Sequence, residues 1–206
     1  MMLPTHALTG MLLALPIALS IPEFAPIALL AGLFGGVFPD LDLYVGHRRT
    51  LHYPTLYPIA VVPAALLAVA HPTSATVGIA VGLLGAAAHC RMDIYGSGLE
   101  LRPWEGNSER AVYDHVGEKW LQPRRLVAYD GSPGDLAIAT AVGVPLFFLV
   151  DSPFTAVVAT AVAIGAGYTL LRRYLAELAP VVFSQVPDPL AQYVPERYRT
   201  KPVSGR

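Results

Sequence analysis

The sequence predicts an all-α, polytopic transmembrane helical bundle of about six apolar helices, with a long cytoplasmic loop between the fourth and fifth. Three observations predict it. Hydrophobic residues make up 54% of the chain and charged residues 14%, against roughly 45–50% and 25% in soluble domains. The apolar residues gather into runs bounded by Pro, Gly or charge. If every run crosses, all 14 Lys and Arg fall on one side, as the positive-inside rule requires of a cytoplasmic face.

The runs span about 7–21, 26–39, 55–70, 74–90, 135–150 and 153–171. The second is the shortest against the roughly 20 residues that a perpendicular span needs, and a re-entrant course is an alternative for it. Pro16 and Pro145 sit inside runs, a placement that neighbouring helices tolerate in lipid. Small-residue stretches such as LFGGVF, VGLLGAAAH and AVAIGAG predict close helix packing. Loop 91–134 mixes aromatic and charged residues, and a short interfacial helix is expected near Ser108 to Trp120. These runs define an integral membrane domain over 1–174, its chemistry-bearing half being 1–105, followed by a polar, Pro-rich tail over 175–206. The topology places the chain in the plasma (inner) membrane with both termini cytoplasmic.

Other classes are excluded or weakened by composition. A formal net charge of -1 argues against a nucleic-acid-coating surface, and no direct nucleic-acid binding is expected. The single cysteine, Cys90, cannot form an intramolecular disulfide and reads as a packing residue. Met1 to His6 carries no Lys or Arg ahead of the first run, so no cleaved signal peptide is expected.

The rare ionisable residues are not scattered. His6 opens the first helix, Asp40 and Asp42 close the second, His47 and His52 precede the third, and His89 and Asp93 close the fourth. All seven are expected at one membrane face, four helix ends contributing to one constellation. His89 and Asp93 stand at i and i+4, side by side if the helix continues. Asp40 and Asp42 point the same way only in extended chain, and His47 and His52 converge only through a turn. A mixed set of imidazoles and carboxylates fits Zn, Mn or Fe(II) better than Ca or Mg, and Zn is the expected divalent metal. Seven groups exceed one four-coordinate ion, so either some orient the ligands or two ions share a carboxylate. Arg48 is suited to an anionic substrate oxygen, whereas Arg49 reads as a topological anchor. His71 has no ionisable companion and reads as structural, and His115 reads as part of a solvated helix face.

Together these segments, TH near the start, FPDLD, GHRRTLHYP and HCRMDIYGSGLELRPW, resemble the membrane-bound metal-dependent hydrolases, also described as LexA-binding, inner-membrane-associated hydrolases. The matching positions are His6; Pro39, Asp40 and Asp42; His47, Arg48, Thr50 and His52; His89 and Asp93; and Gly96, Pro103 and Trp104. Tyr53 departs from the pattern, standing where a serine is expected. The resemblance covers about the first half of the chain and implies hydrolysis.

The expected activity is metal-dependent hydrolysis of an ester or phosphoester, lipid-like in kind, at the cytoplasmic membrane face. Asp42 or Asp93 is expected as general base and Arg48 as the group that steadies developing charge. The alternative is a non-enzymatic membrane metal-binding protein or transporter. Transport ranks second because no acidic or His residue continues a route through the bilayer. A protein partner recruited by the loop or tail has no physical signature in the sequence.

Overall fold

The computed structural model describes residues 1–199, and Lys201 and Arg206 of the expected tail lie outside them. Six long helices carry most of the chain: α1 (Leu3–Ser20), α2 (Ala25–Val37), α3 (Leu56–Ala70), α4 (Ser74–Tyr95), α5 (Pro133–Leu149) and α6 (Phe154–Phe183). Their starts follow ordinary capping chemistry. Proline occupies the first turn of α1, α2 and α5, where no backbone N–H is lost. Thr73 and Thr76 form a reciprocal capping box at α4, and the Ser132 hydroxyl accepts from the Asp135 N–H at α5.

Four segments are long and apolar enough to cross a membrane: Leu3–Ser20, Pro22–Asp42, Ser74–Tyr95 and Phe154–Phe183. The second run, the shortest in the sequence reading, reaches this length because 3-10 turns extend α2 at both ends. The short helices are instead α3 and α5, with 15 and 17 residues. At 1.5 Å per residue they measure about 22 and 26 Å against a hydrocarbon core of about 30 Å.

Helices α1, α2 and α4 form the centre of the bundle, and α5 and α6 pack on α1 from its other side. The seam between α1, α2 and α4 is made of glycine. A Cβ at Gly10 would overlap the Gly32 carbonyl, one at Gly35 the Gly82 carbonyl and one at Gly36 the His6 carbonyl. Backbones approach here as closely as small residues allow, giving the dispersion contacts that hold helices together in lipid. Leu8, Met11, Leu29, Val81, Leu146 and Val158 fill the rest of the core. In contrast, α3 buries no residue, and Ile59, Val62, Leu66 and Val69 project outward from it. An apolar exterior of this extent is what a lipid-facing wall requires.

The expected helix near Ser108 to Trp120 is instead a β-hairpin, β1 (Val112–Asp114) paired antiparallel with β2 (Lys119–Leu121). The Asp114 carboxylate accepts from the N–H groups of Val116 and Gly117, closing a turn that competes with a helix. Tyr113 and Trp120 then stand opposite each other with rings edge to face. The hairpin braces the loop before α3: the Tyr113 N–H donates to the Arg48 carbonyl and the Thr55 hydroxyl to Asp114. At the other end of the chain α6 runs to Phe183, past the expected start of the tail at 175, and two further helical turns follow at Asp188–Ala191 and Glu196–Arg199.

Candidate metal centre

Asp40 and Asp42 lie in a 3-10 turn, Phe38–Asp42, not in extended chain. With three residues per turn, positions i and i+2 point to different sides, and the two carboxylates accordingly do different work. The Asp42 carboxylate turns into the loop that follows. It accepts from the N–H groups of Arg48 (3.2 Å), Arg49 (3.3 Å) and Leu51 (3.1 Å). Nδ1 of His47 and Nδ1 of His52 approach it at 3.1 and 2.9 Å. One buried side chain thus folds residues 47–52 around itself, with Gly46 and Arg48 in the positive-φ region making the bend.

The bend delivers His52 to the end of α4, which continues through Tyr95 and keeps His89 and Asp93 on one face. Four residues then bring their ligand atoms together: Asp40, His52, His89 and Asp93. Nε2 of His52 lies 3.2 Å from Nε2 of His89, and both lie 3.3 Å from Oδ2 of Asp93. Oδ1 of Asp40 is 3.4 Å from His89 Nε2 and 3.7 Å from His52 Nε2. For ligands about 2.0–2.2 Å from a tetrahedral ion, the donor-to-donor edge is about 3.3–3.6 Å. Five of the separations, 3.2–3.7 Å, lie near that figure, and all four ligand atoms lie within 4.8 Å of one another.

Hydrogen-bond chemistry supports the fit independently of distance. His89 Nδ1 is 2.7 Å from the Gly36 carbonyl, which can only accept, so this nitrogen carries the proton. His52 Nδ1 faces the Asp42 carboxylate and carries its proton for the same reason. In the neutral form each ring then leaves Nε2 with a free lone pair, and the two Nε2 atoms face each other across 3.2 Å. Asp93 adds another lone pair: its Oδ2 is buried without a hydrogen-bond donor. A divalent ion would satisfy all four converging ligand atoms at once. Of the carboxylates of Asp40, Asp42 and Asp93, only Asp93 is paired with a fixed cation among the described residues, Arg48 and the Met1 amine both meeting its Oδ1.

The remaining expected residues surround this group without joining it. His6 stacks on His89 with centroids 3.8 Å apart, and its Nε2 lies 3.1 Å from Oδ1 of Asp93. Its Nδ1 is buried without a partner. The His47 ring is half-buried beside Asp42, and burial pushes its pKa below the usual imidazole range despite that carboxylate. Arg48 is not free to meet substrate as expected. Its guanidinium lies 3.2 Å from Asp93 Oδ1 and donates to the Ser97 carbonyl at 2.8 Å, so it holds the ligand Asp93 in place. Arg49 lies over the Tyr113 ring. Cys90 is buried as a free thiol outside the group, and His71 is exposed at the far end of α3.

Sequence reasoning missed three contributors. The Gly36 carbonyl fixes the His89 tautomer, and the Ser97 carbonyl anchors Arg48. His115, expected on a solvated face, donates from Nε2 to the Arg49 carbonyl and packs against Tyr53 with centroids 4.6 Å apart. Two of these three act through backbone atoms, which leave no residue-type signal. Asp40 alone among the four ligands is partly open, with 22% of its side chain exposed. No protein-family model, curated protein or solved structure matches the chain.

Proposed function

We propose that the chain is an integral membrane, metal-dependent hydrolase acting on an ester or phosphoester at the cytoplasmic face, with all six apolar helices crossing. The observation that carries the reading is the convergence of Asp40, His52, His89 and Asp93, the two imidazoles having their Nδ1 protons held by their neighbours. Asp40, His52, His89 and Asp93 would hold one divalent ion, Zn in the first instance. When bound, such an ion polarises a substrate oxygen and lowers the pKa of a bound water to about 7.

The protein groups around the ion have distinct tasks. Asp42 orients His52 and the loop that carries it, and Gly36 orients His89. Arg48 and His6 hold Asp93 Oδ1, turning Oδ2 toward the ion. Asp42 has its oxygens engaged by five donors and makes a poor general base. Asp40 is the better choice, because it is the exposed member of the group and, with one oxygen on the ion, its other oxygen would be free to take a proton from incoming water. The resemblance of FPDLD, HRRTLH and HCRMD to membrane-bound metal-dependent hydrolases adds to this reading.

The test is hydrolysis of a panel of chromogenic esters and phosphodiesters by metal-loaded protein in detergent. Turnover that chelator abolishes, that added Zn or Mn restores and that falls at least about 100-fold in Asp40→Asn supports the reading. Stoichiometric metal with no turnover across the panel sinks it.

One observation favours a second reading, a non-catalytic metal-binding protein. Four protein ligands fill a tetrahedral shell, as in structural zinc sites, whereas catalytic sites keep a position open. Visible absorption of the Co(II)-loaded protein separates the two. An intense four-coordinate spectrum indifferent to added anions favours the structural site, and a weaker one that anions perturb favours the open site.

A further inference from the structure

Beside the four-residue group the bundle leaves a cleft of about 500 Å³, well inside the roughly 300–1,000 Å³ of small-molecule sites. Its lining is of two kinds. Asp40, His47, Arg48, Glu100, Asp130 and Arg197 are ionisable, whereas Leu3 and Ala7 of α1, Val37 of α2, and Ala161 and Ile164 of α6 are apolar. From Ala161 to Tyr168 the cleft follows two turns of α6, about 10 Å. Both α2 and α6 pack on α1, and Leu3 and Ile164 of the lining are exposed on the outside of the bundle.

A water-soluble ester has little use for a lining so largely apolar that it reaches the exposed side chains of Leu3 and Ile164. An amphiphile has one: its chain can lie along the apolar lining while its polar head reaches Asp40. Arg197 supplies the matching charge. Its guanidinium bonds the Tyr198 hydroxyl at 2.9 Å and pairs with no carboxylate among the described residues, whereas Arg48 is committed to Asp93. The Phe183 ring stacks on Tyr198 at 5.1 Å and holds that final turn over the rim.

We infer that this cleft binds one anionic phospholipid drawn laterally from the bilayer, its acyl chain between α1, α2 and α6 and its phosphate at Arg197 beside the metal centre. The inference deepens the hydrolase reading by naming the substrate class of the same site, and it is tested without turnover. Full-length, metal-loaded protein in phosphatidylcholine nanodiscs is doped with phosphatidylglycerol carrying a diazirine on one acyl chain, photolysed and mapped by peptide mass spectrometry. Cross-links should fall on Leu3, Val37, Ala161 and Ile164 about tenfold above Ile79 and Val69, exposed residues on the outer faces of α4 and α3. Ile164→Trp, filling the trough from an exposed position, should remove that preference with metal content unchanged. Arg197→Gln should reduce labelling by the phosphatidylglycerol probe about three- to tenfold and reduce that by the matching phosphatidylcholine probe, whose phosphate is offset by its own ammonium, by less.

Labelling spread evenly over the outer wall, or cleft labelling indifferent to both variants, overturns the inference. Selective labelling without metal-dependent hydrolysis of any lipid would leave the lipid site standing and remove the hydrolase reading. Metal-dependent hydrolysis of a soluble ester with uniform labelling would do the reverse.

Discussion

Asp93 and Asp130 are both drawn into the protein beside an arginine, and their oxygens meet opposite fates. Both oxygens of Asp130 are engaged, one by Nε of Arg172 at 3.0 Å and the Tyr168 hydroxyl at 2.7 Å, the other by NH2 of Arg172 at 3.2 Å. Trp104 lies against the same guanidinium. That pair is complete and ties the 129–131 turn to α6. Asp93 is treated asymmetrically: Oδ1 receives His6, Arg48 and the Met1 amine, while Oδ2 is buried and bare beside two bare imidazole nitrogens. A closed ion pair is an end in itself, and a half-satisfied carboxylate among lone pairs is a socket.

Three substitutions bear on that contrast, in descending order of effect on the metal. The double change His89→Ala/Asp93→Ala removes half the socket and should lower bound metal from about one equivalent to under a tenth, measured by mass spectrometry of detergent-purified protein. Metal retained at wild-type stoichiometry would mean that the four-residue group is not the binding site. Asp42→Asn keeps every proposed ligand but weakens the carboxylate that fixes the His52 tautomer and the loop. Metal affinity should drop about 10–100-fold by competition with a chelating dye. An unchanged affinity would show that the loop holds His52 without Asp42.

Asp130→Asn should leave metal content untouched and act on stability alone. Burial by itself raises the Asp130 carboxyl, but the Arg172 guanidinium and the Tyr168 hydroxyl outweigh it and hold the group below the usual carboxylate range. A depressed folded-state pKa contributes stability that is fully present above the unfolded value of about 3.9 and is lost as pH falls through the folded value. The variant should therefore unfold more easily at neutral pH by about 1–3 kcal/mol, with a smaller further loss in acid than the wild type shows. Thermal unfolding in detergent at both pH values measures this, and equal acid sensitivity of the two proteins would contradict the assignment.

The unequal legibility of these features has physical causes. Runs of apolar residues and the i, i+4 pair His89 and Asp93 could be read because helical period and bilayer thickness act on residue type alone. The gathering of Asp40, His52, His89 and Asp93 was foreshadowed by their places at helix ends. The division of labour between Asp40 and Asp42 was not legible, since it depends on whether the chain there is extended or, as it is, a 3-10 turn. Nor were the roles of Gly36 and Ser97, whose contributions are carbonyl oxygens common to every residue. The hairpin at 112–121 was misread because aromatic and charged residues suit an interfacial helix and a short ribbon equally well. Asp114, turning back on the amides of Val116 and Gly117, decides between them.

The glycine seam has a bearing on how finely this centre is set. Gly36 packs against the backbone of His6 while its own carbonyl orients His89, so the spacing of α1, α2 and α4 and the aim of an imidazole are one dimension. A single methyl group added there wedges α1 from α2 and swings a ligand at the same stroke. The outer wall of α3 can drift through any greasy alphabet, but the seam tolerates nothing wider than a hydrogen atom. The instrument is calibrated by its narrowest residue.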